Sequence, residues 1–335
     1  MKADNSRRRL VQAACLAGLG VVGLASTPAR AEGPAAKWPD KSVRMIVAGP
    51  AGGTADIIAR LLADGLSKES GQPVVVDPKA GAGGVIAVNE LSQAPHDGYT
   101  VLVGVNSLVS EIPHIIKLKS DMAKEIKPVA ELSRGGLVLI GAPTVPAKNF
   151  GELMTWVKAN PGKVSYASYS PGTVSHVLGL QLNKAAGIDM THVGYKGSTP
   201  ALTDVVGGHV QLMFDGMATS LPMIKAGKVK AYAVSSPARS PLLPDVPTFA
   251  ELGYPQLEVV GWMGLWVKPD VPAPVQERLR EAVLKVMAQP AMRTRLLEAG
   301  LEAGQNRSPD ELSKSLAADY QRVGAVLQSI GFKPE

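Results

Sequence analysis

Residues 164–182 read V-S-Y-A-S-Y-S-P-G-T-V-S-H-V-L-G-L-Q-L, the order of a strand, a turn and a helix. Val164 to Ala167 is a short β-branched and aromatic run, as strands prefer. Ser168-Tyr169-Ser170-Pro171-Gly172-Thr173 is a turn, because Pro fixes one φ and Gly accepts values other residues resist. From Val174 the apolar positions 177, 178, 180 and 182 suit a buried helix. Such a unit can hold an anion: the first helical N–H groups lack intrahelical partners, and the macrodipole favours negative charge there. Ser168, Ser170 and Thr173 add hydroxyls that donate without importing charge. The plain alternative is that Ser170 or Thr173 only caps the helix.

The same device stands about 120 residues earlier. V-R-M-I-V-A, residues 43–48, is a strand, and Gly49-Pro50-Ala51-Gly52-Gly53-Thr54-Ala55-Asp56 is a Gly-rich turn. Residues 57–66 then carry apolar side chains at 57, 58, 61, 62 and 66, which is helical spacing. Two such units predict two α/β lobes whose loops face one cleft, since ligands in open α/β sheets sit beyond the carboxyl ends of the strands. Gly49, Ala51, Gly52, Gly53 and Thr54 are expected to line it. Neither G-x-x-x-x-G-K-[ST] nor G-x-G-x-x-G occurs, so no nucleotide fingerprint competes. No cofactor is implied.

Residues 1–31 read as an export signal. Arg7-Arg8-Arg9 is basic, residues 10–25 are apolar except Gln12, and Ala29-Arg30-Ala31 is an A-x-A cleavage site. The apolar run is shorter than the roughly 20 residues that span a bilayer. The arginines also resemble a twin-arginine signal, so Sec and Tat export both stand, and the periplasm is the expected location. Cleavage removes Cys15, the only cysteine, and with it any disulfide or thiolate chemistry. It also removes five basic residues and one acid, so the chain's +6 falls to about +2. With 4% aromatics and no basic cluster outside the signal, nucleic-acid binding is not expected. The rest, 45% hydrophobic over the whole chain, is large enough for two domains.

In order, strands are expected at 74–76, 100–105, 192–194, 211–214 and 228–235, with extended segments at 128–131 and 137–142. Helices are expected at 85–92, 150–159, 200–206, 221–226, 274–289, 290–300 and 309–329. The strand over 100–105 ends at Asn106-Ser107, again polar groups at a carboxyl end. Pro143-Thr144-Val145-Pro146 marks a boundary between lobes, and the apolar run 259–267 is the expected return. The layout is one lobe from residues 38–139 plus 260–335, with residues 140–259 inserted as the second.

Across the mature chain the motifs P-A-G-G-T-A-D-I-I-A-R, G-Q-P-V-V-V, D-G-Y-T-V-L, N-P-G-K-V-S-Y-A-S, P-G-T-V-S-H, Y-K-G-S-T-P-A-L-T-D, G-G-H-V-Q-L-M-F-D and R-S-P-L-L-P-D-V-P-T follow one another. In that order the chain resembles the Bug family, the periplasmic solute receptors of tripartite tricarboxylate transporters. The resemblance implies a two-lobed Venus-flytrap fold of the periplasmic binding proteins, each lobe a β-sheet flanked by helices, with no chemistry of its own. It also implies that the turns at 49–56 and 168–173 grip a ligand carboxylate from opposite lobes, partly through ordered water. The partners implied are a small organic carboxylate and membrane permease subunits, or a sensor protein, with the chain acting as a monomer. One departure stands out: the family usually places Pro and an aromatic where this chain has Ala48-Gly49.

The competing class is an exported serine hydrolase using Ser170 or Ser175 with His176. It would need an acid and an exposed elbow, and G-x-S-x-G is absent. His176 reads better as bracing the pocket turn. The five histidines show neither H-E-x-x-H nor H-x-H spacing, so no metal site is expected. Asp56 is expected to order its turn, Asp215 to face a polar group of the ligand, and Tyr195 to wall the pocket. Trp262 and Trp266 read as packing.

Overall fold

The computed structural model describes residues 38–329 and Phe332; the export signal expected at 1–31 lies outside them. Two sheets organise the chain. The first contains β1 (Val43–Val47), β2 (Val74–Pro78), β3 (Thr100–Val105), β4 (Lys127–Gly135), β10 (Gly261–Val267) and β11 (Glu302–Ala303), in the order β11-β4-β10-β3-β1-β2. The second contains β5 (Leu137–Gly141), β6 (Ser165–Ser168), β7 (Thr191–Gly194), β8 (Leu212–Gly216) and β9 (Lys230–Val234), in the order β7-β6-β8-β5-β9. β1 runs parallel to β2 and β3, and β6 runs parallel to β7 and β8. β10 is antiparallel to β3 and β4, and β5 to β8 and β9.

The near-continuous apolar runs of β1 and β3 are explained by cover on both faces. Met45, Val47, Val101 and Val103 pack into a core with Ile58 and Leu62 of α1 (Thr54–Ser70) and Leu279 and Val283 of α9 (Ala273–Ala288). Ile46 and Leu102, between them in sequence, point the other way. There they meet Val88 of α2 (Val85–Ser92), Leu108 of α3 (Ser107–Ser110) and Leu312 of α11 (Pro309–Ser329). α4 (Met122–Glu125) and α10 (Pro290–Glu298) complete the cover of this sheet.

The second sheet has its own core, with Tyr166, Phe214, Tyr232 and Phe249 fully buried. α5 (Phe150–Lys158), α6 (Val174–Ala186), α7 (Ser198–Val206) and α8 (Met217–Lys225) flank it. α5 starts where Asn149 Oδ1 accepts from Glu152 N–H at 2.9 Å, an N-cap.

The expected boundary is corrected. The chain leaves the first sheet at Gly135-Gly136, between β4 and β5, and not at 139/140 or within Pro143–Pro146. Pro143–Pro146 is a turn inside the second sheet's layer, held where Lys230 Nζ donates to Val145 O at 2.5 Å. The return falls just before Gly261, because β10 lies wholly in the first sheet. Ser235 holds both passages. Its N–H donates to Leu137 O, its carbonyl accepts from Val259 N–H, and its hydroxyl accepts from Leu137 N–H and donates to Val259 O, all at 2.8–2.9 Å.

Candidate ligand-binding site

A cavity of about 180 Å³ lies between the loops of the two sheets. Four helices of nine residues or more begin on its wall: α1 at Gly53-Thr54, α6 at Thr173-Val174, α7 at Gly197-Ser198 and α8 at Gly216-Met217. Each brings N–H groups without intrahelical partners and a partial positive charge. None of α6, α7 and α8 has an acid in its first turn. α1 has Asp56, but its Oδ2 accepts from Gly52 N–H and from Arg60 Nε, both at 2.8 Å. The acid is therefore compensated, and the wall stays receptive to an anion.

The first turn is shaped by Gly52, whose φ of +73° suits glycine, and by the Asp56 carboxylate that receives its N–H. Gly49, Gly53, Thr54 and Asn106 line the cavity, while Ala51, Gly52 and Asp56 do not. The Thr54 hydroxyl is buried against Gly216 and has no hydrogen-bond partner among the described residues. Asn106 Oδ1 accepts from Trp262 N–H at 3.1 Å, tying the end of β3 to β10.

In the second turn only Thr173 of the expected residues reaches the cavity. Its hydroxyl donates to Ser170 O at 2.8 Å, so the proton expected for a ligand is committed to the turn. Ser168, fully buried, donates to Ser170 O at 3.1 Å and pairs with His192 Nε2 at 2.6 Å. His176 Nδ1 accepts from Gly172 N–H at 3.2 Å, across the residue whose φ is +87°. This hydrogen bond ties the first turn of α6 to the turn before it. The His176 ring stacks on His192 with centroids 3.8 Å apart. Burial, with His192 as a lesser cause, lowers its pKa to about 3, and burial lowers that of His192 to about 4. Ser175 donates to Phe214 O at 2.6 Å. Neither Ser170 nor Ser175 hydrogen-bonds His176 among the described residues.

Two expectations are corrected. Tyr195 is turned away, its hydroxyl donating to Asp204 Oδ2 at 2.5 Å. Asp215 is buried beneath the wall and does not line it. Its Oδ1 accepts from Tyr169 and Ser198, and its Oδ2 from Thr219 and Ser220, at 2.6–2.8 Å. Burial raises its pKa, and the four hydroxyls oppose that rise. Tyr169 in turn accepts from Gly216 N–H at 2.5 Å. Sequence reasoning missed Tyr169, Ser198 and Gly216 as wall residues. The signal was available: Y-K-G-S and F-D-G-M repeat the strand–turn–helix device a third and fourth time.

The two layers touch across the cleft. The Pro50 ring seats against Gly197, where a Cβ would collide with it. Thr199 Oγ1 donates to Ala51 O at 3.2 Å. Ile112 and Ile115 meet Gly172.

A two-lobed α/β chain with its site between the lobes is the build of a solute-binding receptor. The tripartite tricarboxylate transporter family receptor matches residues 58–332, and the chain belongs to that family. Its backbone is similar to that of the periplasmic binding protein BugD, at TM-score 0.84 and 32% identity over 89% of this chain and all of that one. A Rhodopseudomonas palustris protein, MatC, solved with malate, is 31% identical at TM-score 0.80, covering 87% of this chain and 100% of its own. Another, Rpa4515 from R. palustris with adipate, is 29% identical at TM-score 0.85, covering 89% and 100%.

Proposed function

We propose that the chain is an exported receptor that captures a small organic carboxylate between two lobes. It presents that solute, as a monomer in the periplasm, to the membrane permease subunits of a tripartite tricarboxylate transporter. The observation that carries this reading is the start of four helices on one cavity, three of them without an acid in the first turn. Neutral N–H donors at helix ends stabilise a carboxylate without a buried cation. Malate and adipate, the molecules solved with two relatives, are both carboxylates.

In this reading Gly49, Gly53, Thr54, Asn106, Thr173 and Ser198 meet the ligand. Ala51, Gly52, Asp56, Ser168, Ser170, His176 and Asp215 hold the turns that present them. Residues 38–135 and 261–329 form one lobe, and residues 136–260 form the other. A thermal-shift panel of carboxylates, run beside an esterase assay, tests it. A bound acid stabilises by RT ln(1 + [L]/Kd), about 2.7 kcal/mol at about a hundredfold excess over Kd. Saturable stabilisation without turnover is expected. Ester turnover with no acid stabilising the fold would sink the receptor reading.

A further inference from the structure

Away from the helix ends, the cleft holds a cation that its own fold leaves half used. Arg134, near the end of β4, lines the cavity and keeps 27% of its side chain exposed. Its Nε donates at 2.8 Å to Glu131, whose side chain is fully buried, so the guanidinium is anchored by one edge. Neither Nη group has a hydrogen-bond partner among the described residues. A guanidinium held this way presents its remaining N–H donors in a fixed plane, the geometry that receives a carboxylate. The acids nearby do not use those donors. Glu302, the register partner of Arg134 on β11, is exposed and forms no ion pair with it among the described residues. The other oxygen of Glu131 has Arg307 Nη1 3.8 Å away. Position matters as much as charge. β10 and β3 stand between β4 and β1, so the ends of β4 and β1 lie about 14 Å apart, and α1 begins beyond β1. Trp262 and Met263 of β10 line the stretch between them, and Leu137 and Val259 add apolar cover.

We infer that Arg134 holds a second carboxylate of the ligand, opposite the one received at the helix ends, so that the chain selects a linear dicarboxylate with an apolar body over a monocarboxylate of the same length. This rests on the carboxylate reading above and deepens it. A second carboxylate loses water on entering the cleft, and charge-assisted hydrogen bonds from the free Nη groups offset that loss. A monocarboxylate of equal length sets an apolar end against those donors and leaves them unpaired.

The test is titration calorimetry on the chain freed of co-purified solute, with adipate and hexanoate as a pair of equal carbon count and succinate and butyrate as a shorter pair. Adipate should bind about tenfold or more tighter than hexanoate. Succinate should gain less over butyrate, because it is too short to reach both anchors. Arg134→Lys keeps a cation beside buried Glu131 but gives up the planar fork, so the ratio of adipate to hexanoate affinity should fall to about one. Should that variant fail to fold, the parent's ratio alone decides. Hexanoate binding as tightly as adipate to the parent would overturn the inference while sparing the carboxylate reading. An undiminished ratio in Arg134→Lys would do the same, as would an equal gain in the shorter pair. If none of the four binds, the carboxylate reading falls and takes the inference with it.

Discussion

Asp215 shows how a buried residue outside the cavity lining can hold the wall in place. Its two carboxylate oxygens receive four hydroxyls, and those hydroxyls belong to the residues that begin α7 and α8 or to Tyr169 on the wall. Burial opposes its charge, and the four donors are what make the ionised form tolerable there. Asp215→Asn keeps the shape but points an amide's two N–H donors at hydroxyls that were themselves donating. Two of the four must turn away. We expect a stability loss of about 1–3 kcal/mol and carboxylate binding weakened about tenfold, because Ser198 and Tyr169 lose their fixed positions. Melting curves and calorimetry on the same variant check it; parental affinity would remove Asp215 from the positioning of the site. The sequence marked Asp215 as important but gave its direction wrongly. An acid after a strand looks the same whether it faces a cleft or a ring of serines, and only the fold brings Ser198, Thr219 and Ser220 around it.

At the scale of elements, α3, α6 and α11 meet around a second acid. Glu111 follows α3 and is buried, paired with the Ser110 hydroxyl. α6 faces it with Val177 and neutral Gln181, and α11 with Arg322 and Val323. Burial is the main cause that raises its pKa to about 7; Asp319 adds to the rise, and Ser110 and Arg322 oppose it. A carboxyl raised in the folded state binds its proton more tightly there than in the unfolded chain. Its contribution is therefore full below about pH 4.5 and is lost as pH rises through about 7. Melting temperature should fall between pH 5 and pH 8, by an amount equivalent to at most about 3 kcal/mol for this group. Glu111→Gln should flatten that slope and be the more stable form at pH 8; an unchanged slope would contradict the assignment. The helices and strands themselves were largely legible, because runs such as T-V-L-V-G-V and the spacing at 57–66 carry their own periodicity. α3, α4 and β11 were not, being two to four residues long. The second sheet's entry was misplaced for a physical reason. β4 and β5 follow each other with only Gly136 between them, and which sheet a strand joins is decided by pairing rather than by its own residues. Pro143 and Pro146 looked like the break, whereas the pair that serves is Gly135-Gly136. A Cβ at Gly136 would run into the backbone of Ser236, so glycine is required there by close approach.

For the whole molecule, the passages between sheets are neighbours: Gly135 pairs with Gly261 in the first sheet, and Ser235 binds Leu137 and Val259 in the second. Two adjacent strands permit hinge closure with few backbone changes. Small-angle scattering should show the radius of gyration fall when a binding carboxylate is added to saturation, and an unchanged radius would count against closure. Pro50 and Gly197 lie far from that hinge. Gly197 follows β7, three strands from β5, and Pro50 follows β1, three strands from β4, so each lies at a radius of about 14 Å. A single methyl at position 197 adds about 1.5 Å, and over that radius it subtends an arc of about 6°. Gly197 is thus one of the contacts that would limit how far the jaws shut on closure, and a change of one carbon there would be felt as an angle across the whole molecule.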